Sequence, residues 1–171
     1  ATAWNNLGAA LLKADRTAEA IQAHTRARDL YRSAGDRHRE ATAWNNLGAA
    51  LLKADRTAEA IQAHTRTRDL YRSAGDRRRE AMAWGNLGAA LSMTGQLGEA
   101  IEAYAEALAA FQEFEDWYGA GQTLQNLATA HESAHRPADA RAHYLQAADA
   151  YTRANAPTEA AQARAWAAEL D

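Results

Sequence analysis

Apolar residues recur along the chain at intervals of three and four residues, the spacing of one face of an α-helix. The first stripe predicts a helix that ends near Asp15. A second predicted helix ends at Gly35-Asp36, because glycine tolerates the left-handed conformation after a helix and aspartate suits the cap of the next. The two stripes consist of Ala3, Trp4, Leu7 and Leu11, and of Ala20, Ile21, His24, Ala27 and Tyr31.

This helical pair is the unit of a 40-residue repeat. The first two copies differ only where Ala27 becomes Thr67 and His38 becomes Arg78. Since one pair cannot bury its apolar face, stacked pairs must share a continuous seam. The sequence predicts an all-α fold, a right-handed α-solenoid that forms a single domain over residues 1–171. We expect repeats at 1–40, 41–80, 81–120 and 121–157, and a C-terminal capping helix at 158–170.

The composition supports a purely helical protein. Alanine, the best helix former, is the commonest residue, whereas valine is absent and only three isoleucines occur. The absence of cysteine excludes a disulfide scaffold and a thiolate metal site. No apolar run is long enough to span a membrane. We expect the ring residues of the stripes to be core, namely Trp4, Trp44, Trp84, Tyr31, Tyr71 and Phe111.

The repeated residues resemble the tetratricopeptide repeat, W-x₂-L-G-x₂-Y…A-x₃-F-x₂-A. Copy four keeps the pattern less fully, with Leu124 and Ala128 in place of the tryptophan and glycine. The 40-residue form is similar to the repeats of Pins-type adaptors, kinesin light chains and bacterial regulators. In the first copy the matching residues are Trp4, Leu7, Gly8, Leu11, Ala20, His24 and Ala27.

The resemblance implies a scaffold for protein–protein interaction, in which the first helix of each repeat lines a concave groove for an extended peptide. The stripe opposite the tryptophans is then the candidate binding surface. We expect it to include Asn5, Asn6, Arg39, Asn45, Asn46, Arg79, Met82, Asn86, Gln122 and Asn126.

Two features of this surface each have two interpretations. Asparagine recurs at position 6 of every repeat, although it is a poor residue inside a helix. Its amide could bind a peptide backbone, or it could bond a neighbouring helix. Arg39 and Arg79 lie one turn earlier, where a guanidinium could bind a carboxylate or simply be solvated.

Charge divides the chain. Residues 1–80 carry 15 Lys and Arg against 10 Asp and Glu, whereas residues 81–171 carry 4 against 12. The halves thus have net charges of +5 and −8, which sum to −3. Duplication of one arginine-rich unit is an alternative cause of this asymmetry. Five surplus positive charges among ten acids are too few to predict nucleic-acid binding.

No motif in the chain predicts catalysis, a cofactor or a metal site. His131 and His135 are four residues apart, a spacing that can hold a metal, but no third ligand accompanies them. His24, His64 and His143 are interpreted as amphipathic packing residues. We therefore expect a protein that is not an enzyme and that has no nucleic-acid or membrane partner.

Two functions from different classes follow. The first is a module that binds an acidic peptide or partner segment in the groove. The second is a self-assembling array that stacks or swaps its open end repeats, giving a homo-oligomer. Ala1 lies inside a helical pattern, so we expect a piece of a longer or processed chain, located in the cytoplasm. The duplication is interpreted as natural rather than engineered, since copies three and four diverge.

Overall fold

The structure is a computed structural model that describes residues 1–170. These residues form nine α-helices and no strand, so the all-α prediction is confirmed. The helices are α1 Thr2–Lys13, α2 Thr17–Ser33, α3 Arg37–Lys53, α4 Thr57–Ser73, α5 Arg77–Met93, α6 Leu97–Glu113, α7 Trp117–Ser133, α8 Pro137–Arg153 and α9 Pro157–Ala168.

Each of the helices α1 to α8 is followed by a residue in the left-handed conformation. After α2, Gly35 has φ 70°, and Asp36 N–H donates to Tyr31 O at 3.0 Å, which is the 6→1 hydrogen bond of a Schellman motif. Asp36 then caps α3, accepting a hydrogen bond from Arg39 N–H at 3.0 Å. The prediction for the Gly35-Asp36 turn is confirmed.

Several turns use a residue other than glycine for the same conformation. The φ angles are 60° at Asp15, 57° at Asp55, 53° at Glu115, 57° at His135 and 56° at Asn155. A side chain at positive φ costs roughly 1 kcal/mol, so these turns depend on the flanking helices to hold them.

Proline begins the two last helices. Pro137 and Pro157 lie in the first turn, where the missing N–H has no helical partner to lose. The C-terminal helix therefore begins one residue earlier than predicted and ends at Ala168 instead of residue 170.

The chain consists of two compact units, residues 1–90 (unit 1) and 91–171 (unit 2), and each is described by itself. In unit 1 the helices α1 to α4 pack each on the next one along the chain. Ala83 of α5 belongs to one buried cluster with Leu70 and Tyr71 of α4. Small residues make this approach close, since Ala20 and Ala60 are 0% exposed. The predicted core positions of Tyr31 and Tyr71 are confirmed.

The tryptophans of unit 1 differ from the prediction. Trp44 and Trp84 are only half-buried, and the guanidinium carbons of Arg28 and Arg68 lie 4.4 and 4.5 Å from their ring centroids. Trp4 is 43% exposed, so its predicted core position is wrong. The reason is that α2 covers Trp44, whereas no helix of residues 1–170 lies in the same way against α1.

Unit 2 packs its helices in the same chain order, from α6 to α9. Its core contains Phe111, as predicted, together with Tyr104, Tyr144 and Tyr151. Glycine makes room for one of these rings, because a Cβ at Gly121 would lie 2.8 Å from Tyr151 Cδ1. No helix within residues 1–170 has the length and apolarity needed to cross a membrane.

Candidate binding surfaces

The asparagines of the first helices of unit 1 join those helices in pairs. Asn46 Nδ2 donates to Asn5 Oδ1 at 3.1 Å, and Asn86 Nδ2 donates to Asn45 Oδ1 at 2.8 Å. We call these the amide pairs. They connect α1 to α3 and α3 to α5, and all four residues are half-buried. For Asn46 and Asn86 the structure therefore shows the bond to a neighbouring helix that was one of the two interpretations.

The pairing leaves part of each amide available. Among the described residues nothing bonds Asn45 Nδ2 or Asn86 Oδ1, so this pair retains one donor and one acceptor. A peptide unit needs one of each, since it offers a C=O and an N–H. Interhelical bonding and ligand binding are thus compatible in the same pair. Asn6 lies outside the pairs and is exposed.

A buried histidine lies behind the first amide pair. His24 is 0% exposed, and its Nδ1 lies 3.2 Å from Asn5 Oδ1, the same oxygen that accepts from Asn46. A Cβ added at Gly8 would lie 2.6 Å from His24 Cε1, so the signature glycine leaves the space that the imidazole fills. This ring is therefore a core residue and not the amphipathic packing residue that the sequence predicted.

His64 repeats this arrangement without the asparagine contact. It is 1% exposed, and neither ring nitrogen has a hydrogen-bond partner. Burial lowers the pKa of His64 to about 4 and also lowers the pKa of His24. Burial penalises the imidazolium because the surroundings solvate a charge poorly. Both rings are consequently neutral at pH 7.

The second amide pair lies beside a cavity of about 220 Å³ in unit 1. Arg79 brings a positive charge to it and Met82 an apolar wall that is 56% exposed. We call this cavity the arginine pocket. It is lined by Thr42, Asn45, Tyr71, Arg79, Met82, Ala83 and Asn86.

Arg79 is held at this pocket by two side chains. Its Nη1 contacts Asp76 Oδ2 at 3.0 Å and also contacts His38 Nε2. Burial raises the pKa of Asp76, but bonds from the Arg79 backbone N–H, from His38 and from the Arg79 side chain outweigh it and lower that pKa. The carboxylate therefore stays ionised and orients the guanidinium. Arg39 makes the corresponding ion pair with Asp36 at 3.3 Å.

Sequence reasoning did not find Tyr71 or His38 as neighbours of Arg79. Tyr71 Oη lies 3.0 Å from Thr42 Oγ1, and its ring meets that of His38 edge-on at 5.5 Å. The available signal was that His38 is one of only two positions at which the first two repeats differ.

Unit 2 contains a larger cleft, of about 570 Å³, between α7 and the helices that follow it. Two of the predicted residues, Gln122 and Asn126, line this cleft. The prediction missed its aromatic and acidic residues. We call it the tyrosine cleft, and it is lined by Tyr118, Gln122, Gln125, Asn126, Tyr151, Thr158, Glu159, Gln162 and Trp166.

The histidines of unit 2 do not form the pair that their spacing in the sequence suggested. His131 stacks on His143, with ring centroids 5.0 Å apart, and not on His135. Burial, followed by the charge of His143, lowers the pKa of His131 although Asp139 opposes this. No group of three His, Asp or Glu suited to a metal ion occurs in the part of the chain that the structure describes.

Comparison with known proteins identifies the repeat. The model of the tetratricopeptide repeat family matches residues 1–73 and 79–153. The curated protein sequences contain no match.

Solved structures share the fold at low sequence identity. The STAND signal-transduction ATPase with a tetratricopeptide repeat sensor from Pyrococcus horikoshii is 15% identical, with a TM-score of 0.86 over 98% of this chain and 26% of that one. A kinesin light chain-like protein from Podosopora anserina is 13% identical, with a TM-score of 0.73 over 99% and 93%.

A Rap protein complexed with Competence and Sporulation Factor is 17% identical, with a TM-score of 0.75 over 94% of this chain and 45% of that one. This chain thus spans about a quarter of the ATPase and less than half of the Rap protein. At these identities the likeness concerns the fold.

Proposed function

The chain belongs to the tetratricopeptide repeat family, a family of protein-interaction scaffolds, and from this premise we propose that unit 1 binds an acidic, extended peptide. The observation that carries the proposal is the second amide pair, which keeps a free donor and a free acceptor beside the guanidinium of Arg79. The proposal assigns no catalysis to the chain.

Geometry supports an extended ligand. The amide pairs recur with the 40-residue period of the repeat, so they offer similar polar groups along successive first helices. An extended peptide presents its own donors and acceptors in a repeating series. The amides therefore suit the backbone, which leaves the side chains to determine specificity.

Charge supports an acidic sequence. Residues 1–80 have a net charge of +5, and residues 81–90 add no charge. Arg79 can approach a carboxylate with the guanidinium nitrogens that Asp76 does not occupy. Met82 offers apolar surface to the methylene groups of a glutamate.

We extend the proposal to the remaining predicted residues, which would also contact a peptide. The assignment of residues 1–171 to one domain is likewise a proposal. Asn6 and Arg39 would extend the surface along α1 and α3, and Gln122 and Asn126 would serve in unit 2. The Rap neighbour, which was crystallised with Competence and Sporulation Factor, supports ligand binding by repeats of this fold.

Calorimetric titration with a capped decapeptide of alternating glutamate and alanine tests the proposal. The matching glutamine–alanine peptide is the neutral control. Replacing Asn46 and Asn86 by alanine should weaken binding about tenfold or more, because two hydrogen bonds to the ligand are lost. Gln62→Ala, an exposed amide on α4, should leave the affinity unchanged. Equal affinity of the double variant and the wild type would show that the amide pairs do not bind the peptide.

Self-assembly is the second candidate function. Trp4 and Leu7 are 43% and 45% exposed, whereas their equivalent Leu47 is buried and Trp44 is half-buried. Contact with another copy of the chain would bury this exposed apolar face of α1. Light scattering over a hundredfold concentration range should then give a rising molar mass. A constant mass near 18.6 kDa would reject self-assembly.

Salt distinguishes two ways in which copies could associate. Contact between the halves of charge +5 and −8 weakens as salt rises, because ions screen exposed charges. Contact through Trp4 and Leu7 does not weaken in this way. Trp4→Gln would test the apolar contact separately.

A further inference from the structure

The tyrosine cleft in unit 2 differs in chemistry from the arginine pocket in unit 1. Among the described residues that line the cleft, Glu159 is the only charged one, so the cleft carries a negative charge. The other lining residues are aromatic, amide or hydroxyl side chains. A surface of this kind has no group that would neutralise a carboxylate. It therefore cannot share the preference for acidic side chains that we propose for unit 1.

Glu159 is joined to the aromatic residues of the cleft. Tyr118 Oη donates to Glu159 Oε1 at 3.3 Å, and the Tyr118 ring meets the Tyr151 ring edge-on at 5.6 Å. Tyr151 Oη in turn donates to Gln125 Oε1 at 3.1 Å. Both phenols are thus used as donors, and one oxygen of the Glu159 carboxylate remains without a partner among residues 1–170.

The electrostatic effect of Glu159 extends across the cleft. Its charge raises the pKa of Tyr118. Burial, followed by the charges of Tyr118 and Glu159, raises the pKa of Tyr151 to about 12. A site that disfavours a second negative charge favours a positive one by the same interaction.

Trp166 adds a half-buried aromatic ring, which packs at a tilt against the ring of Tyr144 with the centroids 5.5 Å apart. Three other tryptophans of the chain carry an arginine over the ring, with guanidinium carbons 4.4, 4.5 and 3.9 Å from the centroids of Trp44, Trp84 and Trp117. In the described residues no cation lies over Trp166, although it lines the cleft. Glu159 and Trp166 are seven residues apart on α9, which places them on one face of the helix.

We propose that the tyrosine cleft binds a cationic side chain, arginine or lysine, of a partner peptide. Glu159 is the counter-ion, and the ring of Trp166 is the surface on which the cation rests. An anion beside aromatic faces suits such a group, because the ring quadrupole and the carboxylate both attract a cation. This site goes beyond the acidic-peptide function proposed for unit 1 and does not depend on it.

Proton–nitrogen NMR of the full chain tests the site through the indole N–H signals of its tryptophans. The probe is the capped pentapeptide Gly-Gly-Arg-Gly-Gly, and a second probe carries lysine in place of arginine. The controls carry norleucine or glutamate at that position. The Trp166 signal is identified with a Trp166→Phe variant. We expect the arginine peptide to shift this signal in a saturable way, the lysine peptide to do so more weakly, and the controls to leave it in place.

Two matched variants separate a local contact from net charge. Glu159→Gln keeps the shape of the side chain and should weaken binding of the arginine peptide about tenfold. Glu102→Gln changes the net charge equally at an exposed position on α6 and should leave affinity unchanged. Equal weakening by both variants, an equal shift with norleucine, or no shift of Trp166 would each overturn the proposal. Binding of the acidic peptide to unit 1 is read from other signals, so the two proposals can fail separately.

Discussion

Units 1 and 2 place different rings at the same position of the second helix. The first two repeats have His24 and His64 there, and the last two have Tyr104 and Tyr144. All four side chains are buried. The histidines lie against a signature glycine, Gly8 or Gly48, with no room for a Cβ.

The residue twelve positions earlier changes together with the ring. It is Leu12 or Leu52 in the histidine repeats, but Ser92 or Glu132 in the tyrosine repeats. Tyr144 Oη donates to Glu132 Oε1 at 2.5 Å. Burial raises the pKa of Tyr104, and the nearby Ser92 side chain offsets part of that rise.

This difference shows how one fold accommodates two polar rings. A buried phenol is neutral over the whole physiological range, and here it is accompanied by a polar neighbour. A buried imidazole in an apolar position is neutral only while the pH stays above its pKa. Unit 1 therefore carries a sensitivity to acid that the equivalent positions of unit 2 lack.

Acidification should produce the largest effect. The pKa of His64 falls from an ordinary 6.5 to about 4 on folding, so the unfolded chain binds the proton first. The stability that the neutral ring contributes is complete above about pH 6.5 and is lost as the pH falls towards 4. Between about pH 7 and pH 5 the free energy of unfolding should fall by ~2 kcal/mol from His64 alone. Urea unfolding at several pH values measures this loss.

A graft from the third repeat provides the control. The double variant Leu52→Ser/His64→Tyr copies the pair Ser92 and Tyr104, and it should remove the part of the loss that His64 contributes. Hydrogen exchange resolved by residue should show an acid-sensitive opening around His64 in the wild type and not in the double variant. An unchanged pH profile in the double variant would show that His64 is not its source.

A methyl group in the histidine pocket should have an effect of similar size. In Gly48→Ala the new Cβ would lie 2.6 Å from His64 Cε1, so the ring or the helix must move. We expect a loss of ~1–3 kcal/mol in the free energy of unfolding. The matched control is Gly85→Ala, whose Cβ meets nothing within 4 Å and which should gain up to ~1 kcal/mol from helix propensity. Equal effects of the two variants would contradict the close packing of His64.

The turns between repeats should give the smallest effect. Unit 1 closes α4 with Gly75 at φ 69°, whereas unit 2 closes α6 with Glu115 at φ 53°. Gly75→Ala should lose ~1 kcal/mol, and Glu115→Gly should gain somewhat less than ~1 kcal/mol, because only glycine adopts this conformation freely. Thermal unfolding of both variants measures the difference. A gain from Gly75→Ala would contradict the assigned turn.

The helices, the repeat and the turns were predictable from sequence because their signals are local. Gly35 and Asp36 determine a helix end and a helix start without reference to anything distant. The exposure of Trp4 was not predictable in this way, since it depends on whether another helix covers α1.

The candidate sites were only partly predictable. Position 6 of the repeat was recognised, but its partner lies 41 residues away, so the bond from Asn46 to Asn5 follows only when two first helices are placed side by side. Similarly, Glu159 and Trp166 come from α9, where the repeat pattern has faded, and Tyr118 comes from α7. The tyrosine cleft is therefore a product of packing between diverged helices.

The most direct test of the contrast between the two units is one NMR titration of the wild-type chain with both peptides. We predict that the glutamate–alanine decapeptide shifts the side-chain amide signals of Asn45 and Asn86 and leaves the indole signal of Trp166 in place. The arginine pentapeptide should do the reverse. If both peptides shift the same set of signals, or if the acidic peptide acts on Trp166 alone, the assignment of opposite preferences to units 1 and 2 is contradicted.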